Sequence, residues 1–159
     1  MQAETNHATD FDFQIGCWNV RHRRLRDRLV GCNAWDIFDG TSVMCPVLGG
    51  NGNIEDNLLH FPGASYRAIA VRSFAPASQT WAIWWLDART PHTLDVPVIG
   101  TFAAGIGSFF AETTLNSAPM QVRFLWLQTN TLSPRWEQAF SLDGGATWET
   151  NWTMDFTRA

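Results

Sequence analysis

Arg135-Trp136-Glu137-Gln138-Ala139-Phe140-Ser141-Leu142-Asp143-Gly144-Gly145-Ala146-Thr147-Trp148-Glu149-Thr150-Asn151-Trp152-Thr153-Met154-Asp155-Phe156 reads as a single antiparallel hairpin. Trp136, Phe140, Trp148, Trp152, Met154 and Phe156 fall on one parity. Arg135, Glu137, Glu149, Asn151, Thr153 and Asp155 fall on the other. A two-residue period of this kind marks a strand pair with one buried face. Asp143-Gly144-Gly145 supplies the positive-φ positions a tight reversal needs. The class is therefore all-β, with an aromatic interior.

Working outward from that hairpin, strands are predicted at 15–25, 34–44, 56–61, 66–74, 81–88, 97–103, 106–114, 120–129, 135–142 and 147–157. The loop Gly49-Gly50-Asn51-Gly52-Asn53, the proline turn Ala75-Pro76-Ala77-Ser78 and Ala104-Gly105 punctuate them. Short gaps and no long helical period imply neighbours joined by hairpins. Ten such strands most economically close into an up-and-down antiparallel barrel, because closure removes exposed edges. A two-sheet sandwich is the alternative. Residues 1–9 read as a disordered lead and 10–159 as one domain, with Asp10-Phe11-Asp12-Phe13 forming a helical turn that plugs one end.

A chain of 159 residues buries roughly 68–70% of its unfolded surface as one domain. Nine Trp and eleven Phe exceed what a minimal core needs, and point to a lined cavity or a subunit interface. Eleven Arg stand beside no Lys, which removes Schiff-base chemistry and a Walker-type phosphate loop. Five of those arginines crowd into Arg21–Arg28, read here as charged positions guarding an edge strand and its turn. A net charge of −4 argues against nucleic acid as a partner. Cys17, Cys32 and Cys45 are odd in number and lack CxxC spacing, so neither a disulfide framework nor a zinc site is favoured. With no apolar run near 18 residues, a membrane is not expected as a partner, and a reduced cytoplasmic setting is. No cofactor is expected, with haem ligation by His7, His60 or His92 a minor alternative.

Pairing Phe74 with Trp81 across the proline turn predicts a register in which Arg72 faces Ile83, Ala70 faces Trp85 and Ala68 faces Asp87. The opposite face then pairs Val71 with Trp84 and Ile69 with Leu86. Both faces are apolar, so one is expected to line the interior and the other to meet a second copy in a homodimer.

Gly16-Cys17-Trp18 resembles the Gly-x-Trp element of the lipocalin and wider calycin barrels. That resemblance implies a Trp plugging the closed end with a late-strand Arg packed over it, Arg135 or Arg158 here. A larger part of the chain, 11–158, resembles an uncharacterised bacterial family of small calycin-like proteins of unknown function. The matching stretches are Phe11–Trp18, Ser73–Ser78, Trp81–Asp87 and the terminal hairpin. Cys17 stands where an acidic residue is usual, and Ala75 where Asp is usual. Ser141–Trp148 also resembles the Asp-box of sialidase propellers; a single copy indicates a well-made hairpin rather than a glycosidase.

Several side chains are candidates for chemistry, each with a plainer structural reading. His22 shares parity with Trp18 and Val20, so it is either an inward general base or a strand-end histidine beside the arginines. Arg72 and Asp87, with Trp85 between them, form either a clamp for a carboxylate or planar ring, or an interstrand ion pair. Arg123 is a further candidate of the same type. Glu137 and Glu149 offer a carboxylate pair or a solvated face. Gln138 and Thr150 interrupt the aromatic face and either orient a ligand or satisfy each other. The expected function is binding of a small apolar or aromatic molecule inside the barrel, walled by Trp18, Trp85, Trp136 and Trp152 and anchored by His22, Arg72, Arg123 and Gln138. The rival is a cofactor-free isomerase, cyclase or dehydratase using His22, Asp87 or Glu137; a third class is a structural interaction module.

Overall fold

In a computed structural model that describes residues 7–159, ten antiparallel strands close into an up-and-down barrel. In chain order they are β1 (Gly16–Leu25), β2 (Trp35–Val47), β3 (Gly52–Leu59), β4 (Tyr66–Ala75), β5 (Thr80–Asp87), β6 (Val98–Ala103), β7 (Ile106–Leu115), β8 (Ala118–Leu127), β9 (Arg135–Ser141) and β10 (Glu149–Arg158). Each strand pairs with its chain neighbours, and β1 pairs with β10 to close the ring. The sandwich is thereby excluded. β1 is not an edge, so its arginines do not guard one; Arg21 and Arg26 instead pair outward with Asp39 and Asp36 at 2.7 and 2.9 Å.

One end is sealed by the segment before β1. Asp12–Gln14 forms a 3-10 turn that delivers Phe11, 1% exposed, into the barrel. Its ring meets Trp81, Phe102 and Phe109 at centroid distances of 5.0, 4.9 and 5.8 Å. His7–Thr9 is a further 3-10 turn, and the His7 carbonyl accepts the Trp81 indole N–H at 3.0 Å. The expected disordered lead is thus corrected for residues 7–9, and residues 1–6 lie outside the described residues. Trp18 plugs the same end, donating its indole N–H to the Gln14 carbonyl at 2.8 Å. Arg158, not Arg135, covers it: the guanidinium lies 3.8 Å from the Trp18 ring centroid and donates to the carbonyls of Phe13 and Ile15. Gly16 is required at this corner. Its φ is +117°, and a Cβ there would stand 2.6 Å from Nη1 of Arg158. Arg135 bridges Glu137 and Asp155 on the outer wall.

The β4–β5 register is the one predicted, Phe74 opposite Trp81 and Ala68 opposite Asp87. β3 differs. It starts at Gly52 rather than 56 because its polar residues Asn53, Glu55 and Asn57 point inward, each 3% exposed or less. A hydrophilic run resembles a loop until its buried partner, Arg72 on β4, is in place.

The terminal hairpin is not regular. Glu149 pairs with Phe140 and Thr150 with Ala139, but Trp152 pairs with Gln138, so Asn151 is an extra residue, a β-bulge. The bulge moves Trp148 outside, where it stacks under Arg123 at 4.5 Å and beside Phe110. The turn is tied by Asp143, whose carboxylate accepts from the Thr147 N–H and hydroxyl at 2.9 and 2.5 Å. Those hydrogen bonds, with another from Ser141, hold its carboxyl down at about 2. A depressed carboxylate stabilises the fold above its unfolded value near 3.8, and the contribution disappears as pH falls through about 2. Accordingly, D143N is expected to be less stable than the parent at neutral pH, with the gap narrowing toward pH 2. Urea unfolding at both pH values checks this; a pH-independent gap would contradict it.

Candidate functional site

The barrel is solid at its sealed end and hollow at the other. A chamber of about 340 Å³ opens at the end where β1 meets the loop Arg26–Ala34 and β5 meets the loop before β6. Its apolar wall includes Trp85, Trp136, Trp152, Phe124 and Phe140, with Ile83 and Val98. Trp152 stands edge-on to both Trp85 and Trp136, at 5.7 and 5.5 Å, and Phe124 packs edge-on to Trp136 at 4.9 Å. Ile83, Trp85, Phe124 and Trp136 also border a void of about 20 Å³ beneath it. That void holds at most one or two waters, so the ring of four is effectively the chamber floor.

The alternation of each strand decides which polar groups reach the chamber. Gln138 does, and its amide N–H is committed to Oδ1 of Asn151 at 2.8 Å rather than to Thr150. The bulge is what brings Asn151, fully buried, to that position. Asp87 lies at the mouth, clamped by the Arg89 guanidinium and backbone N–H. Burial opposes its ionisation, yet the Arg89 hydrogen bonds outweigh that and hold its carboxyl below the ordinary value. Asp95 also borders the chamber; burial, then the neighbouring Asp87 charge, pushes its carboxyl up.

His22 does not line the chamber. It is 1% exposed, stacked on Phe38 at 4.7 Å, and its Nδ1 accepts the Trp152 indole N–H at 3.2 Å. Burial drives its pKa down to about 3, with Arg24 adding to the effect and Asp39 opposing it. A base of that strength, behind the wall, is unsuited to proton abstraction near neutrality. Its work is to fix the orientation of Trp152. Gly40 makes room for it, since a Cβ there would lie 2.9 Å from Nε2 of His22.

Arg72 is inside the barrel but below the floor. It is ion-paired with Glu55, both 3% exposed, and donates to Oδ1 of Asn53 at 2.9 Å. Ser42 donates to the other Glu55 oxygen at 2.7 Å. Arg72 therefore has its counterion already, and Asp87 is not it. Trp18 is the plug of the sealed end, Arg123 stacks on Trp148 outside, and Glu137 accepts from Arg135 on the outer wall. Of the expected site residues, Trp85, Trp136, Gln138, Trp152 and Asp87 are brought together, while Trp18, His22, Arg72, Arg123 and Glu137 are not.

Sequence reasoning missed Arg24, Arg28, Tyr66, Arg89 and Asp95, which with Asp87 make the polar rim of the chamber. Arg24 donates to the Tyr66 hydroxyl at 3.0 Å and lies over the Trp152 ring at 4.8 Å. Arg89 lies over the Tyr66 ring at 3.6 Å. One signal was available: Arg24 has the same parity as Trp18, Val20 and His22. Arg28 and Arg89 sit in turns, where no periodicity points anywhere.

The chain matches no protein-family model and no curated protein. Among the described residues no cluster of His, Cys, Asp and Glu is arranged to hold a metal ion, the three cysteines are free, and no helix is long and apolar enough to cross a membrane.

Proposed function

We propose that this barrel binds a small apolar or aromatic molecule in the chamber bounded by Trp85, Trp136 and Trp152. The observation that carries the reading is the chamber itself. Its volume, about 340 Å³, is at the lower end of small-molecule sites, and its wall is aromatic with few polar groups. A one- or two-ring compound suits it. Neutral naphthalene is expected to quench the tryptophan fluorescence saturably, because three indoles face the ligand. Ala111, on the chamber wall opposite Val122, is the place to test occupancy. A111W should fill the space and abolish quenching while leaving the thermal unfolding transition cooperative. Quenching that never saturates, or that survives in A111W, would count against the reading.

Membership of the small calycin-like bacterial family belongs to the same proposal, supported by the Gly16–Trp18–Arg158 closure. So does a reducing, cytoplasmic setting, supported by three free thiols. A homodimer is supported by the outer row Ile54, Val71 and Trp84, cross-strand neighbours of one another, with Ile69 and Leu86 beside them. Sedimentation at micromolar concentration tests it, and a monomer would end it.

A second reading, a cofactor-free isomerase, cyclase or dehydratase, has one observation in its favour: the raised carboxyl of Asp95 beside the chamber. A bound ligand incubated with the protein in D₂O would then exchange carbon-bound protons, and D95N would stop the exchange.

A further inference from the structure

We propose that the chamber mouth is an anion subsite, in which Arg24 and Arg28 receive the carboxylate of a ligand whose apolar body lies against Trp85, Trp136 and Trp152. The inference rests on the chamber reading above and specifies its ligand as an aryl or alkyl monocarboxylate.

Not every arginine has a counterion among the described residues. Arg21, Arg26, Arg67, Arg72, Arg89 and Arg135 each have a carboxylate within 4.0 Å. Of the other five, Arg23, Arg123 and Arg158 stack on tryptophans outside the chamber. Only Arg24 and Arg28 border it. Both also border an adjoining cleft of about 480 Å³, so the pair stands where a ligand enters.

Each is held in place by aromatic surface rather than by charge. Arg24 lies over Trp152 and Phe61, and Arg28 over Phe140 at 5.3 Å. Nη2 of Arg28 is shielded from solvent and has no hydrogen-bond partner among the described residues. A shielded guanidinium N–H without an acceptor is costly, and two neighbouring cations add to the cost. A carboxylate between them would accept charge-assisted hydrogen bonds from both. In the same sense, burial and the Arg24 charge together lower the Arg28 guanidinium to about 10.

The remaining charges at the mouth set the ligand's valence. Asp87 is neutralised by Arg89. Asp95 lacks an ion pair among the described residues, and Glu149 acts on Arg28 while accepting the Leu29 N–H at 2.8 Å. Asp95 and Glu149 offset the two cations in sum, so what the mouth offers an anion is the unpartnered N–H of Arg28 beside Arg24; one carboxylate can take it, whereas a phosphate dianion would meet Asp95 and Glu149 as like charges.

Isothermal titration of the full chain with naphthylacetate, naphthylacetamide and naphthylethylamine, which share a body and differ in the head, tests the proposal. The carboxylate should bind about tenfold more tightly than the amide, or better. Raising salt from about 0.02 to about 0.5 M should weaken the carboxylate and leave the amide unchanged. In R28M, with Arg28 on the loop between β1 and β2 rather than on a barrel strand, the carboxylate's advantage should shrink toward unity. Equal affinities for acid and amide overturn the anion subsite while leaving the chamber reading intact. Preference for the amine overturns it in favour of Asp95 as the anchoring charge. No binding by any of the three overturns both readings.

Discussion

Replacing Glu55 with leucine is expected to destabilise the protein by about 3–5 kcal/mol, the largest effect of any single change considered. Glu55 and Arg72 are each 3% exposed, and no solvent can take over the charge left behind. In E55L the Arg72 guanidinium keeps its contact with Asn53 but loses its one carboxylate partner among the described residues, and Ser42 loses its acceptor. The rings of Phe11 and Trp126 lie 4.8 and 5.5 Å from the guanidinium carbon, and cation–π attraction of roughly 1–2 kcal/mol falls short of a lost counterion. The double variant E55L/R72M should recover most of the loss, because paired removal leaves no uncompensated charge. Urea denaturation of the parent, both single variants and the double variant measures this as a thermodynamic cycle. A cost near zero for E55L would show that the pair is not sealed. The pair lies beneath Trp85 and Trp136, so the same experiment reports on the floor of the chamber.

The second large effect is a loss of stability in mild acid, caused by His22. Its folded pKa is about 3 and its unfolded value 6.5. Above pH 6.5 both states hold a neutral imidazole, and the histidine contributes no pH dependence. Below that, the unfolded chain binds a proton that the folded state refuses, so stability falls at up to about 1.4 kcal/mol per pH unit until pH approaches 3. Between pH 6.5 and about pH 4.5 the expected loss is roughly 2–3 kcal/mol. H22F keeps the stacking on Phe38 but gives the Trp152 indole N–H no acceptor, at a cost of about 1–3 kcal/mol near neutrality. Its stability should then be flat across the same pH window. Urea midpoints at several pH values separate the outcomes: an equally steep acid slope in H22F would assign the effect to other groups. Because Trp152 is a chamber wall, H22F should also weaken ligand quenching without removing the cavity.

Much of the architecture was written in local pattern. The alternation of Tyr66, Ala68, Ala70, Arg72 and Phe74 against Trp81, Ile83, Trp85 and Asp87, with a proline turn between them, set the β4–β5 register correctly. Period-2 strands joined by short turns and carrying no spare edge implied a closed ring, and the ring is closed. The plug was legible in part: Asp10–Phe13 reads as a helical turn at one end, and the Gly16-Cys17-Trp18 resemblance implies a Trp closure, although Trp18 was also expected to wall the chamber and does not.

What misled was any side chain whose meaning depended on a partner elsewhere. Asn53 read as loop and Glu55 fell short of the predicted strand because a polar strand face is sensible only opposite Arg72, nineteen residues from Asn53 and seventeen from Glu55 along the chain. His22 reads either as an inward base or as a strand-end histidine; it is inward, but its neighbour Trp152 lies 130 residues on, and that contact makes it a structural acceptor.

The sequence by itself determined the barrel, its strand order and the aromatic character of its interior, because those follow from alternation and turn chemistry within short stretches. Only the tertiary structure decided that the interior is packed at one end and hollow at the other. Volume is a property of side chains meeting across the barrel from strands distant in sequence. The same holds for the mouth: one bulged residue, Asn151, and two loop arginine positions set which charges face the chamber, and neither leaves a periodic trace.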